Sequence, residues 1–390
     1  MPSPHRLTLC LGLTQLLAWA TTYYVPAVAT AAVAASFGAS PAAVVGGFSW
    51  ALLVSGLCAP AVGRRIDRLG GRVVLAGATA VQALGLVVLA GSSGLGGWYL
   101  GWTVLGLGMA GGLYDAAFAT LGRTLGAAAR PAITGVTLFG GFASTVGWPA
   151  GAALIAAWGW RPTLLGYAAL LLGVNLPLIL LLVPTVPGLT SIAPPAAGDD
   201  APANGRAAFG FMAAFFTIRA AISATISVKG PSLLEGAGLD TAAAVGLASL
   251  IGPAQVAIRV ADMLGGGRWT PMAMAWVGAL LLPLSVAGLA AGAPLWASSL
   301  LFVLGYGMSN GILTVSRGTL PLQLFGAAGY AARIGRLALP VLLAQAAAPT
   351  LAALLLSAWP ARKVFLLLGV VSLAAVACLL PLRSTPRRRR

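Results

Sequence analysis

Residues 63–72 read Gly63-Arg64-Arg65-Ile66-Asp67-Arg68-Leu69-Gly70-Gly71-Arg72, a basic stretch with one acid, set between two long apolar runs. The runs on either side, about 42–62 and 73–91, each have the ~20 apolar residues that a helix needs to cross the hydrocarbon core of a bilayer. Outward from this stretch the same pattern repeats to both ends of the chain. Twelve such segments can be marked: 7–29, 42–62, 73–91, 98–120, 132–157, 163–183, 208–228, 241–261, 271–291, 295–316, 331–357 and 364–382. The composition agrees, with 59% hydrophobic and only 8% charged residues in 390. A water-soluble domain has about a quarter of its residues charged. The chain is also too hydrophobic for disorder, and its three cysteines do not make a disulfide scaffold. The expected fold class is an all-α membrane protein of twelve transmembrane helices, arranged as two six-helix halves with pseudo-two-fold symmetry.

The net charge of +16 would suit nucleic acid in a soluble protein. Here it sorts by side of the membrane. With both termini placed in the cytoplasm, 18 of the 23 basic residues face inward, and Arg161, Lys229, Arg362 and Lys363 face outward. Arg219 lies inside a span. This bias is what the positive-inside rule expects, so the charge reads as topology and no nucleic-acid partner is expected. The tail Arg387–Arg390 is expected to sit against anionic lipid headgroups. The inner membrane is the expected location, and a monomer the expected state.

The longest polar stretch, 184–207, is rich in Pro, Gly, Ser and Asp and has six spans on either side. It reads as a cytoplasmic linker between an N-terminal half, 1–183, and a C-terminal half, 208–390. A degraded second copy of the opening stretch supports duplication. Residues 258–268 read IRVADMLGGGR, which places Asp262 at a distance of 195 residues from Asp67.

Gly63, Asp67, Arg68, Gly70 and Arg72 resemble the G-x-x-x-D-R-x-G-x-R signature between helices 2 and 3 of the major facilitator superfamily. Gly159-Trp160-Arg161 is similar to the GWR found between helices 5 and 6 there. Gly147-Trp148-Pro149-Ala150-Gly151 resembles the glycine–proline motif of the superfamily's antiporters, with Trp148 intervening. The resemblance implies a secondary transporter working by alternating access, with spans 1, 4, 7 and 10 around a central cavity. It also implies a gating role for Gly63, Asp67, Arg68, Gly70, Arg72 and their counterpart Asp262. The competing reading makes these arginines topology anchors only.

Ionisable groups inside spans are costly and mark function by default. Two stand out, Asp115 in span 4 and Arg219 in span 7. Asp115 is a candidate proton-coupling site. It could equally be an ion-pair partner of Arg219 or of the arginines around residue 67. Arg219 could bind an anionic group of the substrate. Gln15 and Trp19 in span 1, and Tyr306 and Asn310 in span 10, are the remaining candidates for substrate contact. The aromatic ones could instead belong to an interfacial belt. The sole histidine, His5, lies in the N-terminal tail, and Cys10, Cys58 and Cys378 have no pair spacing. Neither a catalytic triad, a metal site nor a cofactor motif is expected, so the protein is not expected to be an enzyme. Proton-coupled efflux of a small organic solute is the leading expectation. An anion exchanger or uniporter using Arg219, or a non-transporting sensor on a carrier fold, are the alternatives.

Overall fold

A computed structural model describes residues 3–185, 203–265, 268–290 and 295–384. The linker acids Asp199 and Asp200, Gly266, Gly267 and the four-arginine tail lie outside the described residues. The described chain is helical, with no strand. Twelve apolar helices follow the order of the twelve expected spans. They are α1 (Pro4–Phe37), α2 (Pro41–Leu69), α3 (Gly71–Ala90), α4 (Leu95–Leu125), α5 (Ala129–Trp158), α6 (Trp160–Leu182), α7 (Ala203–Gly236), α8 (Thr241–Leu264), α9 (Pro271–Ala290), α10 (Leu295–Phe325), α11 (Tyr330–Ala358) and α12 (Ala361–Leu379). Eleven of them are long and apolar enough to cross a membrane on that ground alone, and the twelfth, α9, is counted only over the shorter apolar stretch Pro271–Ala287.

Local chemistry sets the ends. Ser3 and Ser40 cap α1 and α2, each followed by Pro at the first helical position, and Asp240 caps α8 by accepting from the Ala243 N–H at 2.9 Å. Large apolar side chains remain on the outside, with Leu181 80% and Leu284 65% exposed. A soluble protein would hide such a surface, and a bilayer solvates it.

By their contacts the helices form two compact units. The first holds residues 1–190 together with 326–343, the opening turns of α11. Its centre is α2, α3 and α4, drawn together by glycines. Gly106 faces the backbone of Ala51, and Gly85 and Gly101 let α3 and α4 interlock around Leu89 and Leu105. Trp98 and Trp160 are buried at 1% and 6% exposure, in a cluster with Phe37 and Trp102. Trp98 donates to the Val44 carbonyl at 2.9 Å. They are therefore core residues. The second unit holds 191–325 and 344–390, with a core of Ile222, Ile226, Phe302, Tyr306 and Phe365.

Several helices are interrupted where sequence periodicity gave no warning. In α1 the turn Trp19–Tyr23 is a π-helix. In α4 the helix stops at Gly112, Leu113 is extended (φ −101°, ψ −170°), and the helix resumes at Tyr114. The expected loop at 63–72 also shrinks to one residue. Helix α2 runs on through Asp67 and Arg68 to Leu69, and α3 begins at Gly71. Gly70 alone makes the turn, at φ 86°, a conformation that costs glycine little. Nothing between Gly63 and Leu69 breaks a helix, so the basic residues simply extend it.

Candidate functional site

Of the residues expected to gate, Gly63, Asp67, Arg68, Gly70 and Arg72 lie in the first unit. Asp67 lies in the last turn of α2, and its Oδ2 accepts from the backbone N–H of Ala332 at 2.9 Å, in the first turn of α11. From the end of α4, Arg123 Nη1 donates to the Asp67 carbonyl. Arg123 and Arg333 act electrostatically on the Asp67 carboxylate. The neighbouring Arg64, Arg65 and Arg68 are exposed, and Arg72 is half-buried. The arginines that act on Asp67 thus come from α4 and α11. Gly63 explains the close approach: its Cα faces the Ala331 backbone, while Gly335 on α11 faces Ala59 in the same way. A side chain at either position would push the helices apart.

Asp262, expected at a loop in a basic context, is instead buried at 9% exposure on α8. Arg259, one turn earlier, is buried too, and its Nε donates to the Gly311 carbonyl on α10 at 3.2 Å. In the second copy Arg259 and Asp262 are thus turned inward, while Met263 and Leu264 beside them stay exposed at 48% and 79%.

Asp115 sits in the first turn of the resumed half of α4, half-buried. It lines a small cavity of about 10 Å³, roughly one water, together with Ala59, Gly63, Ala331 and Gly335. The interruption just before it frees backbone carbonyls, and Gln15 from α1 takes one, its Nε2 donating to Gly112 O at 2.9 Å. Trp19, in the π turn of α1, packs on Tyr114 at 4.8 Å and Tyr23 at 4.5 Å between ring centroids. Gln15, Trp19 and Asp115 therefore gather around the break in α4.

In the second unit Arg219 is 4% exposed on α7. Its Nη2 donates to Ser309 Oγ on α10 at 2.7 Å, and Ser309 Oγ donates in turn to the Gly278 carbonyl on α9 at 2.5 Å. One turn along the same two helices, Ser223 Oγ donates to Asn310 Oδ1 at 3.0 Å and lies 3.1 Å from the Tyr306 hydroxyl. Tyr306 and Asn310 thus share a face, as their spacing suggests. Ser223, Ser309 and Gln82 were not singled out from sequence. Gln82 is the sharpest omission, since an amide in the apolar span of α3 was visible there. It is fully buried beside Gly108 and Gly112.

The arrangement can be compared with known proteins. The family model of the Major Facilitator Superfamily matches residues 10–332. The chain belongs to the major facilitator superfamily. Among solved structures of the superfamily type, it is similar to the human organic anion transporter MFSD10 (TETRAN). That match has a TM-score of 0.77 at 18% identity, covering 97% of this chain and 100% of the other. The proton:xylose symporter XylE matches with a TM-score of 0.69 at 15% identity, over 98% and 96% of the two chains. The nucleoside transporter NupG matches at 0.61 and 12% identity, over 96% and 99%. At these identities the likeness is one of fold. No curated protein matches the sequence. As a superfamily member the protein is a multi-pass membrane transporter.

Proposed function

We propose that the protein is a secondary active transporter that exports a small organic solute in exchange for protons by alternating access. The observation that carries this reading is the interruption of α4 at Leu113, with Asp115 in the first turn of the resumed helix and Gln15 bonded to the released Gly112 carbonyl. Interrupted membrane helices expose backbone groups and a helix terminus at the depth where carriers bind their ions and substrates. A carboxylate there is placed to take up and release a proton. The neighbours described as carriers of an organic anion, a sugar with protons and a nucleoside are consistent with a small organic cargo. Export is supported by the GWPAG segment of α5. There Gly147 packs on Ala20 of α1, and Gly151 on Tyr167 and Val28, with Pro149 inside the helix.

In this proposal Asp67, Gly63, Arg68, Gly70 and Arg72 serve the gate, and Asp262 its counterpart. Gln15, Trp19, Tyr306 and Asn310 contact cargo. The halves are 1–183 and 208–390, joined by the linker 184–207. The protein works as a monomer in the inner membrane with both termini cytoplasmic, its basic tail on anionic headgroups, and it catalyses no covalent reaction. Reconstitution into vesicles tests the core of it. Cargo flux is expected to follow an imposed pH gradient, and Asp115→Asn to abolish that dependence while the protein still inserts. Flux that is indifferent to the gradient in the wild type would overturn the coupling.

A further inference from the structure

Arg219 poses a problem that the proton-coupling residues do not solve. Its guanidinium is buried on α7, and only Nη2 has a hydrogen bond, to Ser309. Nε and Nη1 are fully buried with no hydrogen-bond partner among the described residues. Ser309 is a neutral hydroxyl that accepts from Arg219 and gives its own proton to the Gly278 carbonyl, so it supplies no negative charge. In its own unit the described acids lie elsewhere: Glu235 is more than four turns further along α7, Asp240 caps α8, and Asp262 sits one turn from Arg259. Asp199 and Asp200 are linker residues outside the described chain. A buried arginine cannot shed its proton, and an uncompensated charge away from water is strongly unfavourable. The site therefore calls for an anion.

The neighbouring turn restricts the kind of anion. Tyr306 donates to the Ser223 carbonyl at 3.2 Å, and Ser223 donates to Asn310 Oδ1. This fixes the orientation of the Asn310 amide, leaving its Nδ2 as a half-exposed donor with no partner among the described residues. What Arg219 and Asn310 offer is donors only.

We infer that Arg219 anchors a substrate carboxylate, and that the cargo is a small organic acid with a second acceptor oxygen for the Asn310 amide. The inference deepens the transporter reading and rests on it only for the word cargo. Binding itself can be measured without any gradient.

The test uses purified wild-type carrier in a halide-free zwitterionic buffer. Its melting temperature is followed with sodium acetate, lactate and benzoate, with the primary amide of each, and with sodium chloride. Carboxylates are expected to stabilise and amides not, with lactate ahead of acetate. Arg219→Gln is expected to lose the carboxylate response. Asn310→Ala is expected to weaken lactate about tenfold, the loss of one hydrogen bond of ~1.4 kcal/mol, and to leave acetate unchanged. No response to any carboxylate, an equal response to the amides, a response to chloride alone, or a carboxylate response that survives in folded Arg219→Gln would each overturn the inference. A carboxylate response alongside pH-indifferent flux would instead retire the proton coupling and leave the anion site standing.

Discussion

Replacing Arg219 by Met should make the ligand-free protein more stable, against the usual expectation for a buried residue. Three quantities enter. The substitution removes one charge-assisted hydrogen bond, Nη2 to Ser309 at 2.7 Å, worth about 1.5–3 kcal/mol. It relieves two buried donors, Nε and Nη1, that bond to nothing, each costing about 1–3 kcal/mol. It also removes a charge whose desolvation costs several kcal/mol. Ser309 is not orphaned, since its hydroxyl still donates to Gly278, and methionine follows the stem of the arginine with little change in volume. The last two contributions overlap, since the unsatisfied donors belong to the same charge, and together they outweigh the lost bond; the variant gains on the order of 1–4 kcal/mol, as when buried ion pairs give way to apolar residues. Cys10 is buried and Cys58 and Cys378 are partly so, which suits a thiol-reactive dye that reports unfolding on heating in detergent. The variant should melt higher than the wild type without ligand, and transport should be lost. A variant that melts markedly lower would mean that the guanidinium already has a resident counter-charge, and the argument for an incoming anion would fail.

Other outcomes follow from the same geometry. Asp67→Asn should insert and purify normally yet transport several-fold more slowly in vesicles, because the charged bond to the Ala332 N–H, worth about 1.5–3 kcal/mol, is weakened. Gly63→Ala should lower flux while Gly77→Ala, with open space at its Cα, leaves it unchanged; equal fluxes would dismiss the close approach to Ala331 as unimportant. Gln82→Leu should be neutral to stabilising by about 1 kcal/mol in a thermal melt, because both polar atoms of the amide are buried without a partner. Asp115→Asn should abolish the response of flux to a pH gradient without lowering the melting temperature.

Much of the fold can be read in the sequence because membrane spans are written as long uninterrupted runs, and a basic loop signature gives their order a family. The twelve runs correspond one to one with α1–α12. What escapes is whatever depends on a partner helix. The break at Leu113 lies in Gly-Met-Ala-Gly-Gly-Leu-Tyr-Asp, with no proline to announce it. Gln82 packs against Gly108 and Gly112 where no side chain stands in its way, and Gln15 from α1 takes the Gly112 carbonyl. Likewise Asp67 could be seen to be important from its motif, but its bond to residue 332 could not. Periodicity tells which face of a helix is special, not which distant backbone that face will meet. Arg219 was visible as a lone charge in a span; that two of its nitrogens would find no partner was not.

The bond between Asp67 and Ala332 has one more consequence. The first turn of any helix leaves amide groups that a capping residue ordinarily satisfies from just upstream. In α11 the residues before Tyr330 are glycine and alanine, which have no side chain able to cap, and the carboxylate arrives from 265 residues away. The helix borrows its cap. One amide of its opening turn is thus satisfied from the amino-terminal half of the chain, so the end of α2 and the start of α11 are stabilised together.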